Sequence, residues 1–411
     1  MKIVDTEFNA NLPGRHFTGA IWRAIFLTST IVGIIALMAL LYNIINQSFG
    51  YVALQSKIDP ETLAVNGIPL EDLSKEELER ILADNISAGL YRRFERDKPF
   101  AERSRDEVYG LVMERVVDLE IKDTYTLVQS IFFRNTIEAE IAEKFPRARL
   151  QFTSWINPDF ITSPQSSQPL IAGVRTAILG SLWTILITIL FAFPLGVGAA
   201  IYLEEYASNN WINRLIQTNI NNLAGVPSII YGMLGLAIFV RTLVPLTSGV
   251  MFNASDPTTA NGRTILSAGL TLAILILPLL IINGQEAIRA VPGSLRQASY
   301  GLGATKWQTT WYHVLPNAVP GILTGTILSV SRAIGETAPL VVVGAATFIT
   351  FDPSGPFSRF TTLPIQIYQW TSRPQDEFRN IAAAAIIVLL IMLLTLNASA
   401  ILLRNRLSRK F

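Results

Sequence analysis

The sequence predicts an all-α integral membrane protein with six membrane-spanning helices. Half of the 411 residues are hydrophobic and only 16% are charged, which is outside the range of ordinary soluble domains. Apolar stretches of the length that crosses a bilayer recur along the chain. They lie near residues 21–44, 176–202, 220–243, 265–282, 319–349 and 381–403.

The first and fifth stretches differ from a simple span. The first has an apolar core longer than that of a signal peptide and no clear small-residue cleavage site follows it, so we expect a retained anchor. The fifth is too long for one crossing and contains Pro339. We therefore expect its C-terminal part to be re-entrant or to lie at the membrane surface.

Lysine and arginine residues near the span ends predict the orientation. Three segments on one side of a six-span chain are basic: the N-terminal arm, the loop between spans four and five, and the tail. Their basic residues are Lys2, Arg15, Arg23, Arg289, Arg296, Lys306, Arg404, Arg406, Arg409 and Lys410. Because cytoplasmic segments carry the excess of Lys and Arg, both termini are predicted to be cytoplasmic.

The region between spans one and two is then predicted to be a mainly helical extracytoplasmic insertion. Residues 51–150 contain 20 acidic and 15 basic side chains, which is more than half of the charged side chains of the protein. Two capping boxes, Ser74–Glu77 and Ser104–Glu107, each precede an apolar stripe with helical spacing. The stripes contain Leu78, Ile81, Leu82, Val108, Leu111 and Val112.

The loop between spans four and five is predicted to dock on a partner. Residues Leu295 to Tyr312 are polar and partly amphipathic, lie between Pro292 and Pro316, and fit a helix-loop-helix along the membrane surface. Small residues allow a close backbone approach at its turn. They are Ala298, Ser299, Gly301, Gly303 and Ala304. Gly303 is expected to be needed there either for a positive φ or for a close backbone approach to the partner.

Charged residues in the apolar spans are candidates for a substrate path. Arg332 and Glu336 lie four residues apart in span five, where each costs about 2.5–3.5 kcal/mol to insert. On a helix they share a face and can pair, either as a structural ion pair or as an oxyanion site. Arg241, at the outer end of span three, either snorkels to the interface or attracts anions. Glu204 and Glu205, at the end of span two, are expected to be solvated.

Several site types are excluded by residues that the chain lacks. It has no Cys and only two distant histidines, His16 and His313, so a thiolate or His-rich metal centre is not expected. Phosphate-loop, H-E-x-x-H and G-x-S-x-G motifs are absent from the sequence. We therefore expect no cofactor, no ATP-binding site and no enzymatic activity in this chain, and the net charge of +2 gives no reason to expect nucleic acid.

Four segments together resemble a known transporter family. The spacing of Gln297-Ala298-Ser299, then Gly303, then Leu315-Pro316 resembles the EAA loop of ABC importer permeases. The segments LAGVPSIIYGMLGL (223–236), LPLLIINGQEAIRAVPGSLRQAS (277–299) and SRAIGETAPL (331–340) are similar to the PstA family of phosphate importer permeases. Gln297 stands where the loop usually has Glu, His313 where it usually has an apolar residue, and the insertion replaces a far shorter loop.

The resemblance implies a type I ABC importer permease that provides half of a phosphate path in the bacterial cytoplasmic (inner) membrane. It implies four regions: an arm with the first helix (1–45), the insertion (46–170), the permease domain (171–405, with the EAA loop at about 285–316) and a tail (406–411). It implies three partners, namely a second permease (PstC-like), an ATPase dimer (PstB-like) and a phosphate-binding protein (PstS-like). The expected ATPase-coupling residues are Gln297, Ala298, Ser299, Gly303, Leu315 and Pro316, and the expected path residues are Arg332, Glu336 and Arg241.

Alternative functions remain open at this point. Another oxyanion, such as molybdate or sulfate, would suit the same type of path. A membrane receptor would also explain a large outer region, but about eight residues after position 403 are too few for an output domain.

Overall fold

The computed structural model describes residues 12–65, 67–97, 99–254, 261–346, 348–349 and 351–408. Lys2, Arg409 and Lys410, three of the basic residues that predict the orientation, lie outside the described residues, as does half of the predicted tail, 409–411. The first half of the chain contains α1 (Leu12–Ser48), β1 (Phe49–Ser56), α2 (Lys75–Asn85), α3 (Ala88–Asp97), α4 (Arg105–Val112), β2 (Leu119–Thr124), α5 (Leu127–Phe132), α6 (Arg134–Lys144), β3 (Arg149–Ser154) and α7 (Pro158–Thr162).

The second half is helical throughout its regular elements. It contains α8 (Arg175–Ile201), α9 (Trp211–Ala224), α10 (Ser228–Gly235), α11 (Val244–Thr247), α12 (Ile265–Arg289), α13 (Gly293–Gly301), α14 (Lys306–Thr309), α15 (Leu315–Gly335), α16 (Ala338–Val343), α17 (Leu363–Thr371) and α18 (Asp376–Ser408). Helices α4, α8, α10 and α14 are extended by π-helical turns at Met113–Val117, Tyr202–Tyr206, Leu236–Thr242 and Thr310–Val314. Short 3-10 turns lie at Pro60–Leu63, Leu70–Asp72, Phe100–Glu102, Pro169–Ile171 and Val250–Phe252.

Within the described residues, five helices are long and apolar enough to cross a membrane. Helix α9 with α10 and its π-helical turn makes a sixth candidate span, which is bent by 105°. The span predicted near 220–243 falls on the end of α9 and on α10 with its π-helical turn. Pro227 has no N–H to continue the helix and restricts Val226 to extended backbone, so the chain turns sharply between the two segments.

Helix α12 packs tightly against α8 and α15 through small residues. A Cβ added at Gly269 would lie 2.5 Å from a methyl carbon of Ile187 on α8. On the other side, a Cβ at Gly325 of α15 would lie 2.4 Å from Cβ of Asn283, and one at Gly321 would lie 2.8 Å from Cβ of Ala287. Such small residues let helices approach closely in lipid, where packing replaces the hydrophobic effect as the cause of association.

The α12–α15 contacts also set the depth of every residue on α15. The pairs 325 with 283 and 321 with 287 define an antiparallel register. Continued along the two helices, this register places Arg332 level with about Ile276, near the middle of the 25 residues of α12. We call the two ends of the bundle the loop end, which carries α13 and α14, and the insertion end.

The predicted interruption of span five near Pro339 is confirmed. Helix α15 ends at Gly335, Glu336 is extended with ψ of 112°, and the six-residue α16 follows. Leu340 and Val343 of α16 are buried, and a Cβ at Gly232 of α10 would lie only 2.6 Å from Cα of Pro339. The fifth span is thus broken at membrane depth, and its second part packs back against α10.

Both predicted capping boxes of the insertion are confirmed. Ser74 and Glu77 cap α2, and Ser104 and Glu107 cap α4, each pair through reciprocal side-chain to backbone bonds. Hydrogen bonds from the Ser74 backbone N–H and hydroxyl lower the pKa of Glu77. Leu78, Ile81, Leu82, Val108 and Val112 are buried together as predicted, and Leu111 packs against them.

The insertion is mainly helical, as predicted, and it also contains a three-stranded sheet. Its strand order is β2-β1-β3, and β1 is antiparallel to both neighbours. Strand β1 begins at Phe49, directly after α1 ends at Ser48. Its partners come about 70 and 100 residues later in the chain, so the pairing depends on long-range contacts that a local pattern does not reveal.

Candidate functional site

The loop between α12 and α15 forms the predicted helix-loop-helix. Helix α13 ends at Gly301, Leu302 is 90% exposed, and α14 begins after a capping box of Thr305 and Gln308. The hydroxyls of Ser299 and Thr309 hydrogen-bond at 2.8 Å and join the two helices. The turn is therefore fixed from inside the loop while its tip faces outward.

Gly303 allows the turn between α13 and α14. Its φ is 82°, and an added Cβ would meet nothing within 4 Å. Of the two reasons that the sequence left open, positive φ is therefore the one that applies inside this chain. A residue with a side chain costs about 1–2 kcal/mol in this conformation.

The predicted coupling residues fall into two groups. Gln297 and Ala298 are exposed on α13, whereas Ser299 is buried under it and Leu315 and Pro316 are half-buried at the start of α15. Near the exposed pair, the rings of Trp307 and Trp311 stack at 5.3 Å between centroids. The exposed apolar side chains of this tip are Tyr300, Leu302, Trp307, Trp311 and Tyr312, a density typical of an interaction surface.

Two ion pairs connect the loop to α8, and they correct the expectation that Glu204 and Glu205 are solvated. Arg296 donates to Glu205 from Nε at 3.1 Å and from Nη2 at 2.7 Å, and also to the carbonyls of Val291 and Ile288. The Glu205 side chain is only 6% exposed. Arg289 holds Glu204 through two bonds, but its own side chain is 59% exposed.

The Arg296–Glu205 pair is a candidate site for transmitting movement between the loop and the second span. Sequence reasoning missed it. It fixes α13, the first helix of the loop, to the end of the second span. From the sequence, Arg296 serves only as one of the basic residues that predict the membrane orientation of the chain. The available signal was an acidic pair at the end of span two and two arginines in the loop between spans four and five, but only the fold brings them together.

The Arg332–Glu336 pair forms at mid-depth, as its spacing predicted. Arg332 Nε donates to Glu336 Oε1 at 3.3 Å, although Glu336 lies just beyond the end of α15. The Glu336 side chain is 17% exposed and that of Arg332 is 44% exposed. Neither Nη1 nor Nη2 of Arg332 has a partner within the part of the chain that the structure describes.

This arrangement leaves one side of the Arg332 guanidinium free to bind an anion. Two N–H groups in a planar fork match two oxygens of a carboxylate or phosphate. Arg241 does not join the pair: it is exposed in the π-helical turn after α10. No contact between Arg241 and Arg332 or Glu336 is found in the described ranges.

The chain matches a family of transport proteins over residues 192–411. The family is described as binding-protein-dependent transport system inner membrane component. A probable ABC transporter permease protein, YqgI of Bacillus subtilis, is 34% identical over 218 residues, which cover 53% of this chain and 68% of that protein. The phosphate transport system permease protein PstA 1 of Mycobacterium tuberculosis is 36% identical over 234 residues, 56% of this chain and 70% of that protein.

A solved structure of the MetNI methionine ABC transporter is also similar in part. It matches 60% of this chain and 99% of its own, at 20% identity and a TM-score of 0.40.

The two loop ion pairs should differ sharply in their effect on stability. Arg296→Gln leaves the Glu205 carboxylate buried and unpaired, so we expect a loss of about 3–5 kcal/mol in the free energy of unfolding. Arg289→Gln is the matched control, because its exposed pair contributes less than about 1 kcal/mol. Thermal unfolding of the purified membrane protein measures both changes.

A double variant adds a second test of the same pair. Arg296→Gln with Glu205→Gln removes the buried charge as well, and we expect it to be more stable than Arg296→Gln alone. Equal losses from Arg296→Gln and Arg289→Gln would show that the buried pair does not hold the loop.

Proposed function

The chain belongs to the family of binding-protein-dependent transport system inner membrane components, and we propose that the solute it carries is inorganic phosphate. It is a multi-pass permease subunit of an ABC importer in the inner membrane. The observation that carries the phosphate proposal is the half-exposed Arg332 at mid-depth, with two guanidinium nitrogens unused. The name of the Mycobacterium tuberculosis relative supports the same solute.

Arg332 and Glu336 would act as an exchangeable pair. In the resting state the guanidinium binds Glu336, which reduces the cost of keeping a charge at membrane depth. Phosphate then binds through the planar fork of Arg332, and the bond to Glu336 weakens. Because Glu336 competes for the same guanidinium, the anion is released rather than retained, as a permease requires.

The chain would form half of the translocation path and take its energy from another subunit. Its sequence has no phosphate loop, so ATP would be bound by a separate ATPase dimer. The exposed tip around Gln297, Ala298 and Leu302 is the surface that would dock there. A homologous second permease would face the exposed side of Arg332, and a soluble phosphate-binding protein would deliver the anion at the insertion end.

We place the loop end in the cytoplasm. The described basic residues of the arm, loop and tail support this orientation, and the insertion at residues 46–170 then lies outside. This insertion and the permease domain at 171–405 would form separate functional regions, one facing the binding protein and one spanning the membrane.

Reporters at residues 90, 300 and 408 test the orientation. We expect the first to be accessible only from outside and the other two only from the cytoplasm, because the loop must reach an ATPase. Labelling in intact and in opened cells separates the two sides. A cytoplasmic signal from residue 90 would reverse the topology and remove the coupling assignment.

Substitutions at Gly303 test the coupling loop. Gly303→Val should weaken ATPase binding roughly five- to thirty-fold, since the side chain costs about 1–2 kcal/mol at φ of 82°. Gly303→Asn should be milder, because Asn tolerates positive φ. Gly301→Ala is the control, as its added Cβ meets nothing within 4 Å. Co-purification of the ATPase and uptake are the measurements, and normal uptake by Gly303→Val would contradict the role.

Variants of the mid-depth pair test the path. Arg332→Gln should keep assembly and ATP hydrolysis but lower phosphate uptake at least about 100-fold, since two charge-assisted hydrogen bonds of about 1.5–3 kcal/mol each are lost. Glu336→Gln should slow turnover with less effect on assembly. Uptake assays with sulfate and molybdate as competitors identify the anion. If both variants import phosphate at the wild-type rate, the pair is structural.

A further inference from the structure

A cationic cavity lies at the insertion end of the spans. It has a volume of about 370 Å³. Arg263 contributes from two residues before α12, and Arg359 from the segment that precedes α17. The backbone of Gly344 to Ala346, directly after α16, forms another wall.

The two arginines of this cavity have no carboxylate partner in the part of the chain that the structure describes. Both side chains are exposed, and neither forms an ion pair with any residue that the structure describes. Other arginines at the same end do have acidic partners: Arg175 lies 2.9 Å from Asp352 and Arg379 lies 3.0 Å from Asp376. Within the described residues, the charge of the cavity wall is therefore left without an acidic partner.

Local backbone geometry holds Arg263 in the cavity. A Cβ at Gly344 would lie 2.6 Å from Cδ and 2.9 Å from Nε of Arg263, so the arginine stem fits only because position 344 has no side chain. The Asn261 side-chain oxygen accepts a bond from the Arg263 backbone N–H at 3.1 Å. The amide nitrogen of Asn261 is thereby left as a further donor on the cavity wall.

We infer that this cavity is a second binding site for the transported oxyanion, occupied before the Arg332–Glu336 pair. The inference rests on the proposed function and adds a site to it. A cavity of this size is at the small end of ligand pockets, and it offers guanidinium forks and an amide, the donors that bind tetrahedral oxyanions. A protein surface would need a larger and flatter contact.

Helix α16 connects the two sites. Glu336 precedes this helix and Gly344 follows it, so they are separated by about 12 Å along the chain at helical rise. Among the described residues that line the cavity, none is a carboxylate that competes for the arginines, whereas Glu336 competes at the pair. The first site would therefore raise the local concentration of anions, and the second would control their release.

Charge removal in the assembled transporter tests the site. Arg263→Gln and Arg359→Gln should each lower the initial rate of phosphate uptake into proteoliposomes several-fold, and the double variant at least about tenfold. ATP hydrolysis and the affinity for the loaded binding protein should stay unchanged. Arg379→Gln is the matched control, since this arginine lies at the same end but pairs with Asp376.

The outcomes separate the inference from the proposed function. Wild-type uptake of phosphate tests the function alone, and its failure would end the phosphate proposal whatever the variants do. Unchanged uptake by the double variant would overturn the second site. A loss of affinity for the binding protein that accounts for the lower uptake would assign the arginines to protein docking instead, and would also overturn it.

Chemical restoration of the charge guards against misfolded variants. The chain contains no cysteine, so Arg359→Cys introduces a single thiol into this subunit. A cationic methanethiosulfonate should restore uptake by this variant several-fold, while an anionic one of similar size should lower it further. Equal effects of the two reagents, with untreated wild type as reference, would show that positive charge is not what the cavity supplies.

Discussion

The close packing of α12 between α8 and α15 is the constraint on which the rest of the membrane region depends. The apolar stretch of α12 is 67% buried within the chain, against 39% for α8 and 28% for the α15 span. Because lipid offers no hydrophobic driving force between helices, this packing relies on small residues that allow close approach. One end of α12 continues into the loop that carries α13, and its middle sets the level of Arg332. The two candidate sites are thus positioned by the same helix.

Two arginines of this bundle, Arg296 and Arg332, differ in how much of their charge is paired within the chain. Arg296 is largely enclosed by Glu205 and two backbone carbonyls, so its charge is fully used inside the chain. Arg332 pairs with Glu336 through Nε alone, and its two other guanidinium nitrogens have no partner among the described residues. A buried pair contributes little net stability compared with apolar residues of similar volume, so stability alone does not account for a charge pair at mid-depth. The fully paired Arg296 suits a fixed connection between the loop and the bundle, whereas the partly paired Arg332 suits an ion pair that an anion can replace.

Local sequence signals predicted local structure well and long-range contacts poorly. The capping boxes, the conformation of Gly303 and the i,i+4 pair of Arg332 and Glu336 each depend on residues within one or two turns. The sheet of the insertion, the Arg296–Glu205 pair and the shared cavity of Arg263 and Arg359 join residues about 70 to 100 positions apart. The bend at Pro227 could in principle be predicted from the proline itself. A hydropathy average over a whole span does not show it, because the break is only a few residues long.

The absence of a linker between α1 and β1 has a mechanical consequence. The first span ends at Ser48 and the central strand of the sheet begins at Phe49, while Asn46 accepts a bond from the Val128 backbone in the insertion at 2.9 Å. The span and the central strand of the sheet are therefore joined without a flexible linker. A force applied to the insertion cannot be absorbed by a flexible hinge there and acts as a torque on α1, which leans on the bundle chiefly through α18.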